Sequence, residues 1–395
     1  MIIRPKIRGF ICTTAHPEGC AKSVAEQIQY VKACGRFDGP RNVLVIGAST
    51  GYGLASRIAA TYGCHAKTIG VFFEKEADEK RTASPGWYNT AAFEKQAHLD
   101  GFYAKSINGD AYSQSIKDAV MDLIRRDLQQ VDLVIYSLAS PRRVHPVTGQ
   151  IYSSALKPIG QPFVGKTVDA FRGEVKDVTI EPANEEEIAN TIAVMGGEDW
   201  EMWIDQLASE NLLAPNVKTV AYSYIGPVLT HAVYKNGTIG KAKEHLKATA
   251  DKLQGKLAAL HGEAIVSVDK AVVTQASAAI PVVPLYMSIL FKLMKEKGTH
   301  EGCIEQMDRL FREHLYAPHP PARDKDGFIR VDDLEMEQDI QRKIEEIWPQ
   351  VTTENVKSLT DLDGYCDEFY RLFGFNIDGV NYDAEVDPVV KIPSI

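Results

Sequence analysis

The chain has 395 residues, 45% of them hydrophobic, 25% charged and 9% aromatic, a composition that supports a large packed core and excludes a disordered chain. Lys and Arg number 44 against 53 Asp and Glu, a formal net charge of −9 with no long basic run, which argues against nucleic acid as the main partner. A small anion held by local cations and helix N-termini stays open. The cysteines form no CxxC pair, the N-terminus carries no apolar signal region, and no stretch approaches the ~18 apolar residues of a membrane span. A cytoplasmic α/β enzyme is expected. Cys12, His16 and Cys20 fit no zinc spacing, so no metal is expected.

In chain order, Val43-Leu44-Val45-Ile46 reads as a buried strand, followed by Gly47-Ala48-Ser49-Thr50-Gly51-Tyr52-Gly53 and a helix from Leu54 to Ala60. A second strand spans Thr68 to Phe73 and ends at Glu74. A third lies near Tyr103 to Ile107, a helix at Ser113 to Arg126, and a fourth strand at Val131 to Tyr136. After an interruption come a fifth strand at Thr219 to Tyr224, a helix from Lys241 to Leu260, and a sixth strand at Ala264 to Val268 leading out through Ala271 to Thr274. Strands separated by helices predict a doubly wound parallel sheet of Rossmann type. The prolines and acidic helix start within 141–215 predict an insertion beside the sheet edge, where Trp200 and Trp203 find packing. The expected organisation is one unit over 1–395: a dinucleotide-binding core at 40–275 holding the 141–215 insertion, then a helical, substrate-covering portion at 276–395.

The glycines sit between an apolar strand and an apolar helix, where they permit a tight turn and let a pyrophosphate approach a helix N-terminus. The spacing GxxxGxG is that of short-chain dehydrogenases. Glu74, at the end of the second strand, stands where a carboxylate accepts from the adenosine ribose 2′-OH and repels a 2′-phosphate, which favours NAD(H). Asp110-Ala111 and Ser137 to Ser140 are loops at carboxyl ends of strands, suited to the adenine and the nicotinamide ribose. No Tyr-x3-Lys follows the fifth strand; Tyr234 and Lys243 stand there nine residues apart. On one continuous helix they face opposite ways, so they converge only if Asn236-Gly237 and Gly240 break it, with Thr238 as N-cap for the helix carrying Lys243.

The chain resembles the FabV-type enoyl-acyl-carrier-protein reductases and the similar bacterial trans-2-enoyl-CoA reductases almost throughout. The resemblance is carried by Arg8-Gly9-Phe10-Ile11-Cys12, Gly86-Trp87-Tyr88-Asn89, Tyr136 to Pro141, Val194 to Trp200, Tyr222 to Gly226, Val273 to Ser277 and His300 to Gln306. It implies Tyr234 and Lys243 as the catalytic Tyr-x8-Lys pair and Tyr224 as a substrate contact. It implies cofactor contacts at Gly47, Ala48, Ser49, Thr50, Gly51, Tyr52, Phe73, Glu74, Asp110, Ala111, Leu138, Ala139, Lys243, Val272, Val273 and Thr274. Lys235 replaces a common Trp, and Glu244 replaces a second Lys.

The implied reaction is NADH-dependent reduction of the C2=C3 bond of trans-2-enoyl thioesters of CoA or acyl carrier protein, in fatty acid synthesis, by a monomer. Tyr234 stabilises the enolate, and Lys243 holds the ribose and favours the phenolate form of Tyr234. Rival expectations are a short-chain ketoreductase and a non-catalytic NAD(H) sensor. Arg142, Arg143 and Lys157 are expected to form a basic patch for an acidic carrier.

Overall fold

The computed structural model describes residues 1–9, 11–275 and 277–395. Its main sheet has seven parallel strands: β1 (Asn42–Ile46), β2 (Lys67–Phe72), β3 (Ala104–Asn108), β4 (Val131–Tyr136), β5 (Leu213–Ser223), β6 (Glu263–Val268) and β7 (Ile329–Arg330). Their order is β7-β6-β5-β4-β1-β2-β3. The chain winds outward from β1 to β3, returns to β4 on the other side of β1, and winds outward again. That reversal makes the crevice beyond the carboxyl ends of β1 and β4 the expected ligand site.

The apolar runs explain the layers. Leu44 and Ile46 pack into one buried cluster with Val120, Ile124, Trp200, Trp203, Leu246 and Leu253. Val43 and Val45 point the other way, among Val24, Ile28, Leu54, Phe93 and Met307. Alternation along a strand buried on both faces thus places helices Gln114–Asp127, Glu198–Ser209 and Thr238–Leu257 on one side. Helices Pro17–Cys34 and Pro85–Leu99 cover the other. A third cluster centres on helix Val283–Lys297, whose Leu285, Tyr286, Ile289 and Leu290 are fully buried, and joins the C-terminal helix Leu362–Arg371 to the rest.

Several expectations are corrected. The sheet draws β7 from beyond 275, because the two-residue strand Ile329–Arg330 returns to pair with Ser267 and Val268 of β6. Helix Glu198–Ser209 is no part of an edge insertion: it is the crossover between β4 and β5, with Trp200 and Trp203 fully buried against the sheet. The true excursion holds two antiparallel hairpins, Arg142–Val144 with Ile151–Ser153 and Phe163–Asp169 with Glu174–Ile180. Ala271 to Thr274 belong to no strand. His16 caps helix Pro17–Cys34 by accepting from the Gly19 amide at 3.2 Å, and Cys12 and Cys20 are buried beside it, so this trio has a packing role.

Residues 388–394 strap the β3 edge. Trp87 Nε1 donates to the Val390 carbonyl and the Tyr88 hydroxyl to that of Pro388, each at 2.7 Å. Ser394 Oγ donates to Glu94 at 2.9 Å and accepts from the Ser106 amide at 2.9 Å. Glu94 in turn lies 3.7 Å from Arg57 in a fully buried ion pair.

Candidate active site

The loop after β1 is shaped by close approach. Gly47 has φ +87°, and a Cβ there would stand 2.2 Å from the Ser137 carbonyl oxygen; a Cβ on Gly53 would stand 1.9 Å from that of Gly47. Only glycine permits either contact. The Gly47 and Ala48 amides both bond the Val71 carbonyl, at 2.9 and 3.0 Å, and Asn89 Nδ2 holds the Ser49 carbonyl at 3.2 Å. Helix Gly51–Ile58 then begins with no side-chain cap and no acidic residue in its first turn. Its unpaired amides and positive end suit an anionic pyrophosphate, and a Cβ on Gly51 would meet no atom within 4 Å. The residues present fit a bound dinucleotide.

Thr50 and Gly51 line a cavity of about 370 Å³ together with Val272, Val273, Thr274 and Asn89, so the two ends of the expected cofactor set do meet. Thr274 and Ser277 bond reciprocally, each amide donating to the other's hydroxyl at 2.9 Å. Tyr52 turns away from the cavity: its hydroxyl donates to the Lys270 carbonyl at 2.6 Å and accepts from Gln306 at 2.9 Å. Its backbone alone is left for a cofactor role.

Glu74 follows β2 by two residues and accepts from Ser49 Oγ at 2.7 Å. Burial pushes its carboxyl up, against the hydrogen bonds from Ser84 and Ser49. Two residues that sequence reasoning missed make its place. A Cβ on Gly86 would lie 2.0 Å from Glu74 Oε1, and Asn108 brackets the Glu74 backbone with bonds of 2.8 and 3.0 Å. Phe73 is 78% exposed, open for an adenine face. Asp110 accepts from the Tyr112 amide at 2.9 Å, and the Ala111 carbonyl accepts from buried Lys117 at 2.9 Å. Leu138 is half-buried and Ala139 exposed, both just past β4.

Tyr234 and Lys243 both follow the carboxyl end of β5, and each contacts a residue of that end: Lys243 meets Tyr222 and Tyr234 meets Tyr224. Residues 231–236 are turns, and helix Thr238–Leu257 starts after Gly237, so the expected break in helicity exists. Gly237 is the N-cap, one residue before the position expected. Thr238 instead bonds the excursion, donating its hydroxyl to the Ala155 carbonyl and accepting from the Lys157 amide at 3.2 Å. A Cβ on Gly240 would collide with the Lys235 carbonyl at 1.8 Å, the close approach that turns the chain here. Lys243 Nζ donates to the Tyr222 carbonyl at 3.2 Å. Two residues on, the Tyr224 ring meets Tyr234 edge-on at 4.9 Å and 82°.

Burial moves Lys243 down to about 8 against the pull of Asp269, and pushes Tyr234 up. Loss of hydration favours the neutral phenol of Tyr234, the opposite direction to the expected drift toward phenolate. Its hydroxyl has no hydrogen-bond partner among the described residues. Lys241 and Glu244 pair with each other at 2.8 Å on the exposed side of the helix, and Lys235 is exposed. The expected basic patch is largely neutralised: Arg143 is buried against Glu198, and Lys157 pairs with Glu187, both at 2.6 Å. Sequence reasoning also missed Glu335, a fully buried carboxylate that accepts from Tyr224, and Asp269, a buried carboxylate behind Lys243.

Strand order, glycine turn, uncapped helix start and a tyrosine–lysine pair past β5 define a dinucleotide-binding oxidoreductase. Comparison with known proteins narrows the class. The family profile described as the catalytic region of trans-2-enoyl-CoA reductase matches residues 81–316, and that of its NAD(P)H binding domain matches 2–79. The chain is 61% identical over 398 residues to an NADH-dependent enoyl-acyl-carrier-protein reductase of Coxiella burnetii, covering 100% of this chain and 98% of that protein. The corresponding Flavobacterium johnsoniae protein is 60% identical, with 100% of each covered. A trans-2-enoyl-CoA reductase of Treponema denticola, solved with NAD, superposes with a TM-score of 0.96 at 51% identity, covering 99% of this chain and 100% of that one. The chain belongs to the trans-2-enoyl-CoA reductase family.

A third profile, described as an enoyl reductase FAD binding domain, matches residues 323–386. That segment does not fit a flavin dinucleotide. Its two longer helices, Gln338–Ile347 and Leu362–Arg371, begin at Glu337 and Asp361 and carry Asp339 and Asp363 in their first turns. These carboxylates occupy the ends where a pyrophosphate would need amides and positive charge. No helix among the described residues is long and apolar enough to cross a membrane.

Proposed function

We propose that the chain reduces the C2=C3 bond of trans-2-enoyl thioesters with NADH, a step of fatty acid synthesis, using Tyr234 as oxyanion donor and Lys243 as the ribose-holding cation. Family membership over the whole chain carries the reaction, and the ketoreductase and sensor alternatives fall away with it. When bound, NADH supplies a hydride to C3 of the substrate, which leaves negative charge on the thioester oxygen.

The single observation that carries the assignment of roles is the Tyr234 hydroxyl. It is a neutral phenol held between the Tyr224 ring and the loop before helix Thr238–Leu257, with no protein partner among the described residues. A donor free in the resting protein is preorganised to meet charge that develops only during reaction, and such preorganised donors usually lower the barrier more than any other single effect. The same phenol holds a proton for C2. Lys243, anchored by the Tyr222 carbonyl, keeps two further ammonium donors for ribose hydroxyls. Glu74, tied to the glycine loop through Ser49, selects NADH by accepting from the 2′-OH and repelling a 2′-phosphate. Leu285, Ile289 and Leu290 anchor the covering helix in the core.

Free CoA esters and carrier-protein esters share the reactive group. Glu198 and Glu187 neutralise Arg143 and Lys157, two of the three cations expected to meet an acidic carrier, and CoA thioesters are the assigned substrates. The chain is assigned to the cytoplasm as a monomer. NADH oxidation followed by absorbance with crotonyl-CoA, a longer enoyl-CoA and the matched carrier-protein ester tests the reaction and the carrier. Absence of NADH oxidation with every enoyl ester overturns the proposed reaction, and oxidation only with the carrier-protein ester overturns the carrier assignment.

A further inference from the structure

We propose that Glu335 is a positioning residue of this site: its carboxylate takes the Tyr224 hydroxyl proton, which fixes the Tyr224 ring against Tyr234 and leaves Tyr234 alone to donate to the substrate oxygen. The inference rests on the reaction proposed above.

Glu335 is 0% exposed, although it lies in the acidic run Asp332-Asp333-Leu334-Glu335-Met336-Glu337. Its Oε1 accepts from the hydroxyls of Tyr224 at 3.0 Å and Tyr286 at 2.7 Å, and its Oε2 from the Ala271 amide at 2.7 Å. One carboxylate therefore joins the end of β5, the helix over the site and the loop that leads to Val272 and Thr274. Beside it, Lys270 is also buried, with Nζ on the Ala271 carbonyl at 2.9 Å and 4.6 Å from the Phe291 ring centre.

All three neighbours of the Glu335 carboxylate are donors, and an ionised carboxylate only accepts. A glutamine keeps the Ala271 bond only by turning its NH2 group onto the two hydroxyls, which then accept instead of donating, so only the carboxylate takes all three donors as they stand. A carboxylate buried this completely is tolerated only where such bonds compensate it. The consequence for Tyr224 is directional. A phenol has one proton, and here it points at Glu335, so the open side of the oxygen can accept but not donate. Its ring still sets the place of Tyr234, whose own proton is free. Of these two adjoining tyrosines, the arrangement leaves Tyr234 as donor and makes Tyr224 its wall.

The test is a double-mutant cycle on purified full-length protein, read as kcat and KM for crotonyl-CoA and as NADH affinity by fluorescence. Glu335→Gln and Tyr224→Phe each lower kcat about tenfold, the scale of a slightly misplaced catalytic group. The double variant is no slower than Tyr224→Phe alone, because Glu335 acts through that hydroxyl. NADH affinity changes less than about threefold in all three, about 0.7 kcal/mol or less. Tyr286→Phe removes a bond to the same carboxylate oxygen but has no ring against Tyr234, and it keeps kcat within about threefold of wild type. Multiplicative losses in the double variant, or a fully active Glu335→Gln, overturn the inference. If Glu335→Gln does not fold, Glu335→Asp enters the same cycle with the same requirement. An inactive wild type strikes at the proposed reaction instead, so the two failures are distinct.

Discussion

Lys243 offers the sharpest quantitative expectation. Its amine is pushed down to about 8 by burial, so it is an ammonium at neutral pH and loses its proton well within an accessible range. A hydrogen bond from a charged donor contributes ~1.5–3 kcal/mol against ~0.5–1.5 kcal/mol for a neutral one, and the difference of about 1–1.5 kcal/mol corresponds to about tenfold in Kd. NADH affinity of the free protein should therefore be flat on the acid side and weaken about tenfold as pH rises through about 8. The sign follows from the charged form being the better donor. Lys243→Met removes both donor and titration: its NADH affinity is about 10- to 100-fold weaker near neutrality, with a gap to wild type that narrows at high pH. Lys241→Met, on the exposed side of the helix in a pair with Glu244, should match wild type at every pH. Fluorescence titration of NADH from about pH 6.5 to about pH 9.5 follows all three proteins across the lowered titration of Lys243, below the range of an ordinary lysine. A flat wild-type profile, or a Lys243→Met profile that bends at the same pH, refutes the assignment.

Three further outcomes are expected. Tyr234→Phe keeps the ring against Tyr224 and should lower kcat about 10²–10³-fold with NADH affinity and thermal midpoint nearly unchanged, measured by steady-state kinetics and calorimetry. Wild type should favour NADH over NADPH by more than about tenfold in kcat/KM, and Glu74→Ala should narrow that ratio by relieving repulsion of the 2′-phosphate; equal use of both cofactors by wild type argues against it. Removing residues 391–395 strips the Ser394 bonds from Glu94 and Ser106 and leaves buried Arg57 and Glu94 less well satisfied. At about 1–3 kcal/mol for a lost buried partner, the thermal midpoint should fall by several degrees, and an unchanged midpoint would mean the strap holds nothing in place.

The central strands were readable because they are apolar runs buried on both faces: Val43 to Ile46 and Val131 to Tyr136 have no competing interpretation as solvated helix. The glycine turn was readable because backbone contact at Gly47 and Gly53 forbids a side chain. What stayed hidden has physical causes. β7 is two residues long, too short for any periodicity to register. Trp200 and Trp203 announced burial but not where, since a crossover helix and a packed insertion share one hydrophobic pattern. Glu335 sits in a run of acidic residues whose ordinary fate is solvation, and only tertiary structure brings three donors to it. Arg143 and Lys157 looked like a free basic patch because their acidic partners lie some thirty to fifty-five residues further along the chain. The effect of burial on Tyr234 was likewise beyond spacing arguments, which place groups but do not say how dry they are.

The pairing of the sheet bears on how such proteins can be recombined. The family profiles divide the chain near residues 80 and 320, yet β2 pairs with β3 across the first division and β6 with β7 across the second. The site is divided the same way, with the glycine loop, the tyrosine–lysine pair and Glu335 drawn one from each segment. Chimeras joined at those boundaries would force strands from different parents to share a register and Tyr224 to seek a foreign carboxylate. A crossover within the hairpin Phe163–Asp169 and Glu174–Ile180 does no better, because it separates β4 from its neighbour β5, and any single junction between β1 and β7 divides some pair of adjacent strands. Gene shuffling between relatives should recover active enzymes preferentially with junctions N-terminal to β1, where no strand pair of the main sheet is divided, rather than at the profile boundaries.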